Sequence, residues 1–143
     1  MSDQLPVIKI VGMSASGKST LVKGLRAAGY NARPVSQEHS NVPDLWRQFD
    51  ALNYDKPAWL IYLDVSLDGQ RARRPDVSWS AKWWRTEQAR LHHARAHADL
   101  RIDTTEMSPQ QVLELALLFL QRHDVDHAGQ PLPPVAPTGG ARK

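Results

Sequence analysis

Cysteine is absent from the 143 residues, which excludes disulfides, Cys-based zinc sites, iron–sulfur clusters and thiol catalysis. Long apolar runs are missing too, since none approaches the roughly 20 residues needed to span a bilayer. The first residues, Met-Ser-Asp-Gln-Leu-Pro, have neither the basic start nor the apolar stretch of a secretory signal. A soluble cytoplasmic protein is the expectation. What is present suffices for a packed core: 41% of the residues are hydrophobic and 23% charged, unlike the composition of a disordered chain. The length fits one domain of ordinary size.

The formal charge of +3 is unevenly placed. Residues 71–101 carry Arg71, Arg73, Arg74, Lys82, Arg85, Arg90, Arg95 and Arg101 against only Asp76, Glu87 and Asp99. The rest of the chain is therefore slightly acidic. A local basic block points to an anionic ligand more than to a nucleic-acid-coated surface. The plainer alternative is a solvated helix face.

Apolar, β-branched runs predict strands over 6–11, 32–37, 58–65 and 100–103. Helical spacing, caps and stops predict helices over 19–28, 43–52, 66–74, 81–98 and 108–123, the last with Pro109 at its first position. From Ala128 onward four prolines and three glycines read as a disordered tail, leaving 1–127 as the folded domain. The alternation predicts an α/β fold in three layers, with a small, four-stranded parallel sheet flanked by helices.

One pattern in this frame carries chemistry. Gly12-Met13-Ser14-Ala15-Ser16-Gly17-Lys18-Ser19 matches G-x-x-x-x-G-K-[ST] between a predicted strand and a predicted helix. Its glycines let successive backbone N–H groups wrap a phosphate. The helix start adds its positive end, Lys18 a cation, and Ser19 a hydroxyl for Mg²⁺. The expected nucleotide contacts are Gly12, Ser14, Ala15, Ser16, Gly17, Lys18, Ser19 and Thr20, with ATP and Mg²⁺ as the ligands. No guanine-reading Asn-Lys-x-Asp run occurs, and large motor ATPases need a longer chain. A minimal kinase, a bare ATPase or a nucleotide-dependent switch remains.

Beyond the phosphate loop, the chain has Leu60-Ile61-Tyr62-Leu63-Asp64-Val65, then Arg71-Ala72-Arg73-Arg74. Late in the sequence comes Ala98-Asp99-Leu100-Arg101-Ile102-Asp103-Thr104-Thr105. With these features it resembles the P-loop kinases of small molecules, the group of nucleoside and nucleotide kinases, adenylylsulfate kinase, and gluconate and shikimate kinases. The resemblance implies the P-loop NTPase fold, an arginine-bearing lid after the Leu-Asp strand, and a late loop packing on adenine. It spans residues 6–122, and only the phosphate loop is individually specific. One departure stands out: the group usually has two strands between the loop helix and the Leu-Asp strand, and here there is room for one. The metal-side Asp of the family is not in its place. A strand order of 2-1-3-4 would put the end of the second strand beside the loop.

Glu38 is then the candidate carboxylate, either taking the proton of an acceptor hydroxyl or orienting Mg²⁺ and its waters. His39 is a weaker neighbour, and Asp64 reads equally as a helix-capping carboxylate. Among Arg71, Arg73, Arg74 and Arg85, the favoured lid cations are Arg71 and Arg74, which would neutralise transferring charge. Trp46, Trp59, Trp79, Trp83 and Trp84 form either an aromatic acceptor wall or core and lid packing. His92, His93 and His97 invite a metal reading, but no carboxylate recurs beside them at helical spacing.

Three functions follow. The first is an ATP- and Mg²⁺-dependent kinase of a small hydroxyl-bearing acceptor, with no role for a membrane or nucleic acid. The others are a nucleotide-binding regulatory or partner-binding module with little turnover, and a polynucleotide end kinase using the basic block.

Overall fold

The fold comes from a computed structural model, which describes residues 5–36, 38 and 58–135. Four short strands, β1 (Val7–Gly12), β2 (Asn31–Pro34), β3 (Trp59–Asp64) and β4 (Leu100–Asp103), form one sheet. Five helices accompany them among the described residues: α1 (Lys18–Ala27), α2 (Leu67–Arg73), α3 (Ala81–Arg90), α4 (His92–His97) and α5 (Pro109–Arg122). The sheet order is β2-β1-β3-β4 and every pairing is parallel. Both features match the expectation.

Successive side chains on a strand point to opposite faces, so a continuous apolar strand needs a cover on each. β3 shows this directly. Ile61 and Leu63 pack in a core with Leu21 and Leu25 of α1 and Val112, Ala116 and Leu120 of α5. Leu60 and Tyr62 pack in a second core with Leu91, Ala94 and Trp84, from the α3–α4 side. The result is a sheet flanked by helices on both faces.

The chain leaves the C-terminal end of β1 through α1 to β2 on one side, and β3 then pairs on the other. That reversal opens a crevice at the end of β1, where open parallel sheets place ligands. The closure there is tight. A Cβ on Gly12 would lie 2.1 Å from the Leu63 carbonyl oxygen, and the Met13 N–H donates to that oxygen at 3.1 Å.

Two expectations change. The helix expected over 81–98 breaks at Leu91, which ends α3 and begins α4. Leu91 and Ala94 are fully buried on the sheet, while Glu87, also fully buried, reaches the 12–19 loop. The break lets one stretch of chain serve both contacts. The segment from 128 is not a loose tail as far as 135. The Ala128 N–H donates to the Gly29 carbonyl at 2.9 Å and the Leu132 N–H to that of Arg26 at 2.8 Å. The Arg26 Nε donates to the Pro133 carbonyl at 2.6 Å. Proline lacks an N–H but keeps its carbonyl acceptor, so a proline-rich strap still binds to a helix end. The helix expected over 43–52, His39, Trp46 and residues 136–143 lie outside the described residues. No described helix is long and apolar enough to cross a membrane.

Candidate functional site

The 12–19 loop turns by two left-handed residues, Ala15 (φ 64°) and Gly17 (φ 101°). Such alternation can turn backbone N–H groups toward one concavity; within this loop the Ser14 N–H is taken by Glu87 and the Ser16 N–H by the Met13 carbonyl, each at 3.2 Å. At Gly17 a Cβ would meet nothing within 4 Å, so the need for glycine there is conformational rather than steric. Gly17 is also the N-cap of α1, which has no side-chain cap and no acid in its first turn. By contrast Ser66, Ser80 and Ser108 cap α2, α3 and α5. The first N–H groups of α1 and its positive dipole end are left open toward the loop. Ser16 is 2% exposed, and its hydroxyl has no hydrogen-bond partner among the described residues. A buried hydroxyl in that state is costly unless something else satisfies it. An anion seated in the loop fits these donors.

Lys18 opens α1 and turns its ammonium back over the strand end. It donates to the carbonyls of Gly12 at 3.0 Å and Met13 at 3.1 Å, and to Glu38 Oε2 at 2.7 Å. The Lys18–Glu38 pair is nearly buried. Pairs of this kind contribute little net stability, because desolvating both charges costs about as much as their attraction returns. Glu38 arrives there because β2 runs beside β1 and the pairing continues past Pro34, with the Val35 N–H donating to Ile10 at 2.9 Å. The Glu38 backbone carbonyl also accepts from Arg90 at 3.1 Å.

The loop separates two cavities. The larger, about 780 Å³, is lined by residues 14–20 and, beyond them, by Ser36, Glu38, Arg74, Trp79 and Val135 among others. The smaller, about 310 Å³, lies on the other side of Ala15, Ser16 and Gly17 against Arg73, Thr104, Met107, Pro109 and Val112. Thr104 is buried and knits this side together, its hydroxyl donating to Ser16 O at 2.9 Å and lying 3.1 Å from Asp64 O. The Arg73 guanidinium donates to Ala15 O at 2.8 Å, to the Thr104 hydroxyl at 3.0 Å, and to the Thr104 carbonyl.

The expected site residues therefore divide. Residues 14–20, Lys18 and Glu38 come together at the large cavity, with Ser19 and Thr20 exposed in the first turn of α1. Gly12 lines neither cavity, and its place is explained by the approach to Leu63. Ser14 points its N–H and hydroxyl to Glu87. Arg74 lines the large cavity but grips Asp76 with two hydrogen bonds at 3.0 and 2.8 Å. That contact holds the exposed Asp76 carboxyl below its ordinary range. Arg71, the other expected lid cation, is exposed, donates to the Trp79 carbonyl at 3.2 Å and lines neither cavity. Arg73 is the arginine against the loop, because it faces inward from α2 while Arg71 faces solvent.

Of the described tryptophans, Trp79 lines the large cavity and donates its indole N–H to Arg74 O. Trp84 donates to Val65 O from the second core, and Trp59 packs edge-on against Phe119. Trp83 is exposed under the Arg90 guanidinium. The packing reading thus holds for Trp59 and Trp84. The rings of His93 and His97 stack 4.0 Å apart, and no cluster of three metal-ligating side chains occurs among the described residues. Asp64 accepts from Gln88 and from the Val65 N–H.

Glu87, Gln70 and Thr104 at the loop were not among the expected site residues. Thr104 belongs to the late motif Ala98–Thr105. The one signal for Glu87 is that it is the sole acid between Asp76 and Asp99. No protein-family model matches the chain, and no curated protein matches it.

Proposed function

We propose that the chain binds a nucleoside triphosphate in the 12–19 loop and passes its terminal phosphoryl group to a hydroxyl of a small molecule. The observation that carries this is the Lys18–Glu38 pair, 2.7 Å across and nearly buried, at the uncapped start of α1 in the reversal crevice of a parallel sheet. The open N–H groups of α1, the Ser16 hydroxyl and Lys18 supply donors to phosphate oxygens. The two cavities suit the two ends of the reaction. The smaller, walled by Met107, Pro109 and Val112, offers an apolar slot for a base, and the larger holds the acceptor beside Glu38.

Ser19 is the residue that would hold Mg²⁺, which when bound would supply positive charge to offset that of the phosphates. Glu38 takes the acceptor's hydroxyl proton or orients water about the metal, and Lys18 leaves Glu38 for the phosphates. The acceptor oxygen bonds to the terminal phosphorus as the bond to the diphosphate leaving group breaks. Arg74 is the cation on the acceptor side, provided that it releases Asp76. The end-kinase alternative draws on the 71–101 block. Several of its cations are already engaged within the fold: Arg73 on the loop, Arg74 on Asp76, Arg90 on Glu38, and Arg95 on Gln88 at 2.9 Å.

The test is ADP release from Mg-ATP with and without a panel of nucleosides, sugars and hydroxy acids, for wild type, Lys18→Ala and Glu38→Gln. Acceptor-stimulated release that falls by at least about 100-fold in Glu38→Gln is the expected result. Tight ATP binding with no stimulation by any acceptor would instead make the chain a nucleotide-binding module. No binding at all would sink both readings.

A further inference from the structure

We propose that Glu87 is the positioning residue of the 12–19 loop, an inference that rests on the triphosphate reading of that loop. The contacts are specific. Glu87 Oε1 accepts the Ser14 N–H at 3.2 Å, and Oε2 accepts the Ser14 hydroxyl at 2.5 Å. Gln70 Nε2 donates to Ser14 O at 3.0 Å and to Glu87 Oε1 at 3.3 Å. The N–H, hydroxyl and carbonyl of Ser14 are therefore all held by two residues of the α2–α3 arm.

Glu87 and Gln70 are both fully buried. No cation pairs with Glu87 among the described residues, and hydrogen bonds from Ser14 and Gln70 are what meet its carboxyl oxygens. Burying a carboxylate in this way is costly, and an apolar residue would fill the same space more cheaply. What an apolar residue cannot do is fix the orientation of the Ser14 peptide. The next residue, Ala15, takes the left-handed turn that aims the loop inward, and Arg73 of the same arm holds the Ala15 carbonyl. The arm thus grips two consecutive residues, Ser14 and Ala15, on the approach to the N–H groups of α1. A cradle fixed before binding loses less freedom when the anion arrives. It also ties the loop to the element that carries Arg73 and Arg74.

The experiment measures binding of inorganic tripolyphosphate and of Mg-ATP by calorimetry. It uses the full chain as wild type, Ser14→Ala, Glu87→Gln, Glu87→Ala and the Ser14→Ala/Glu87→Ala double variant. Each is held at a temperature where its thermal unfolding curve shows it folded. Glu87→Ala should weaken tripolyphosphate binding about tenfold, in line with the loss of a charge-assisted hydrogen bond. Glu87→Gln, which keeps an oxygen for the Ser14 N–H, should recover part of that loss. The double variant should bind no more weakly than Glu87→Ala, because both changes break one clamp. A purely structural role would lower the melting temperature and leave the affinity of folded protein unchanged, which overturns the proposal. Should Glu87→Ala fail to fold, Glu87→Gln and Ser14→Ala decide by the same criterion. Wild type that binds neither probe overturns the triphosphate reading itself, whereas wild-type affinity in every folded variant overturns only the role of Glu87.

Discussion

Tyr62 shows how a single side chain can carry a cost that packing conceals. It is 1% exposed in the second core, and its hydroxyl has no partner among the described residues. Burial first, and then the negative charge of Asp64, pushes its pKa above the ordinary value of 10. The folded state therefore holds the phenolic proton more tightly than the unfolded chain does. Its stability contribution is intact below about pH 10 and is lost as pH rises beyond that value. Tyr62→Phe should abolish this alkaline loss. At neutral pH it should be neutral or stabilising by about 1 kcal/mol, since it removes a desolvated, unpaired hydroxyl. Urea denaturation of both proteins at pH 7 and pH 10.5 checks this, and a Phe variant with the wild-type alkaline slope would refute it. Residue by residue, the sequence was informative where chemistry follows chain order. Lys18 and Glu38 were readable because one lies in a spaced motif and the other follows a strand whose place in the sheet could be deduced. Glu87 meets Ser14 from 73 residues away, and no spacing along one chain encodes that meeting.

At the scale of elements, strands were the most readable, because a short and nearly continuous apolar run suits a strand covered on both faces. The bend at Leu91 was not, since neither proline nor glycine marks it, and it answers to the separate demands of the loop and the sheet. Two glycines of one motif illustrate the same division between local and tertiary causes. Gly17 is needed for its left-handed backbone, with open space around it, whereas Gly12 is needed for contact with a neighbouring strand. Gly17→Ala should cost about 1–2 kcal/mol, the strain of a side chain in that conformation. Gly12→Ala must push β1 from β3 at the Leu63 carbonyl and should cost about 3 kcal/mol. Denaturant midpoints at equal m-values test the order of the two. A milder effect at Gly12 than at Gly17 would mean that the strand pair yields easily at the loop.

For the molecule as a whole, the segment past His127 decides where the folded unit ends. Its prolines and glycines resemble a linker by composition, and composition does not reveal carbonyls that a buried arginine requires. Arg26 is 6% exposed, and its guanidinium pKa is lowered, chiefly by burial and further by Arg33. Its charge is met by carbonyl and amide oxygens, namely Pro133 at 2.6 Å, Asn31 Oδ1 at 3.0 Å and Ala32 O at 3.2 Å. The strap thus supplies the shortest of these bonds and adds Val135 to the wall of the large cavity. A chain ended at His127 loses the Pro133 acceptor and the Leu132 bond to Arg26 together. It should be less stable by about 2 kcal/mol, the range for a hydrogen bond to a charged group. A chain ended at Val135 retains both and serves as the control. If the two truncations unfold at the same urea concentration, Arg26 finds water in place of the strap and the domain ends before residue 128. If the shorter one unfolds earlier, the strap belongs to the fold, and the wall of the large cavity is set in part by residues that composition alone assigned to disorder.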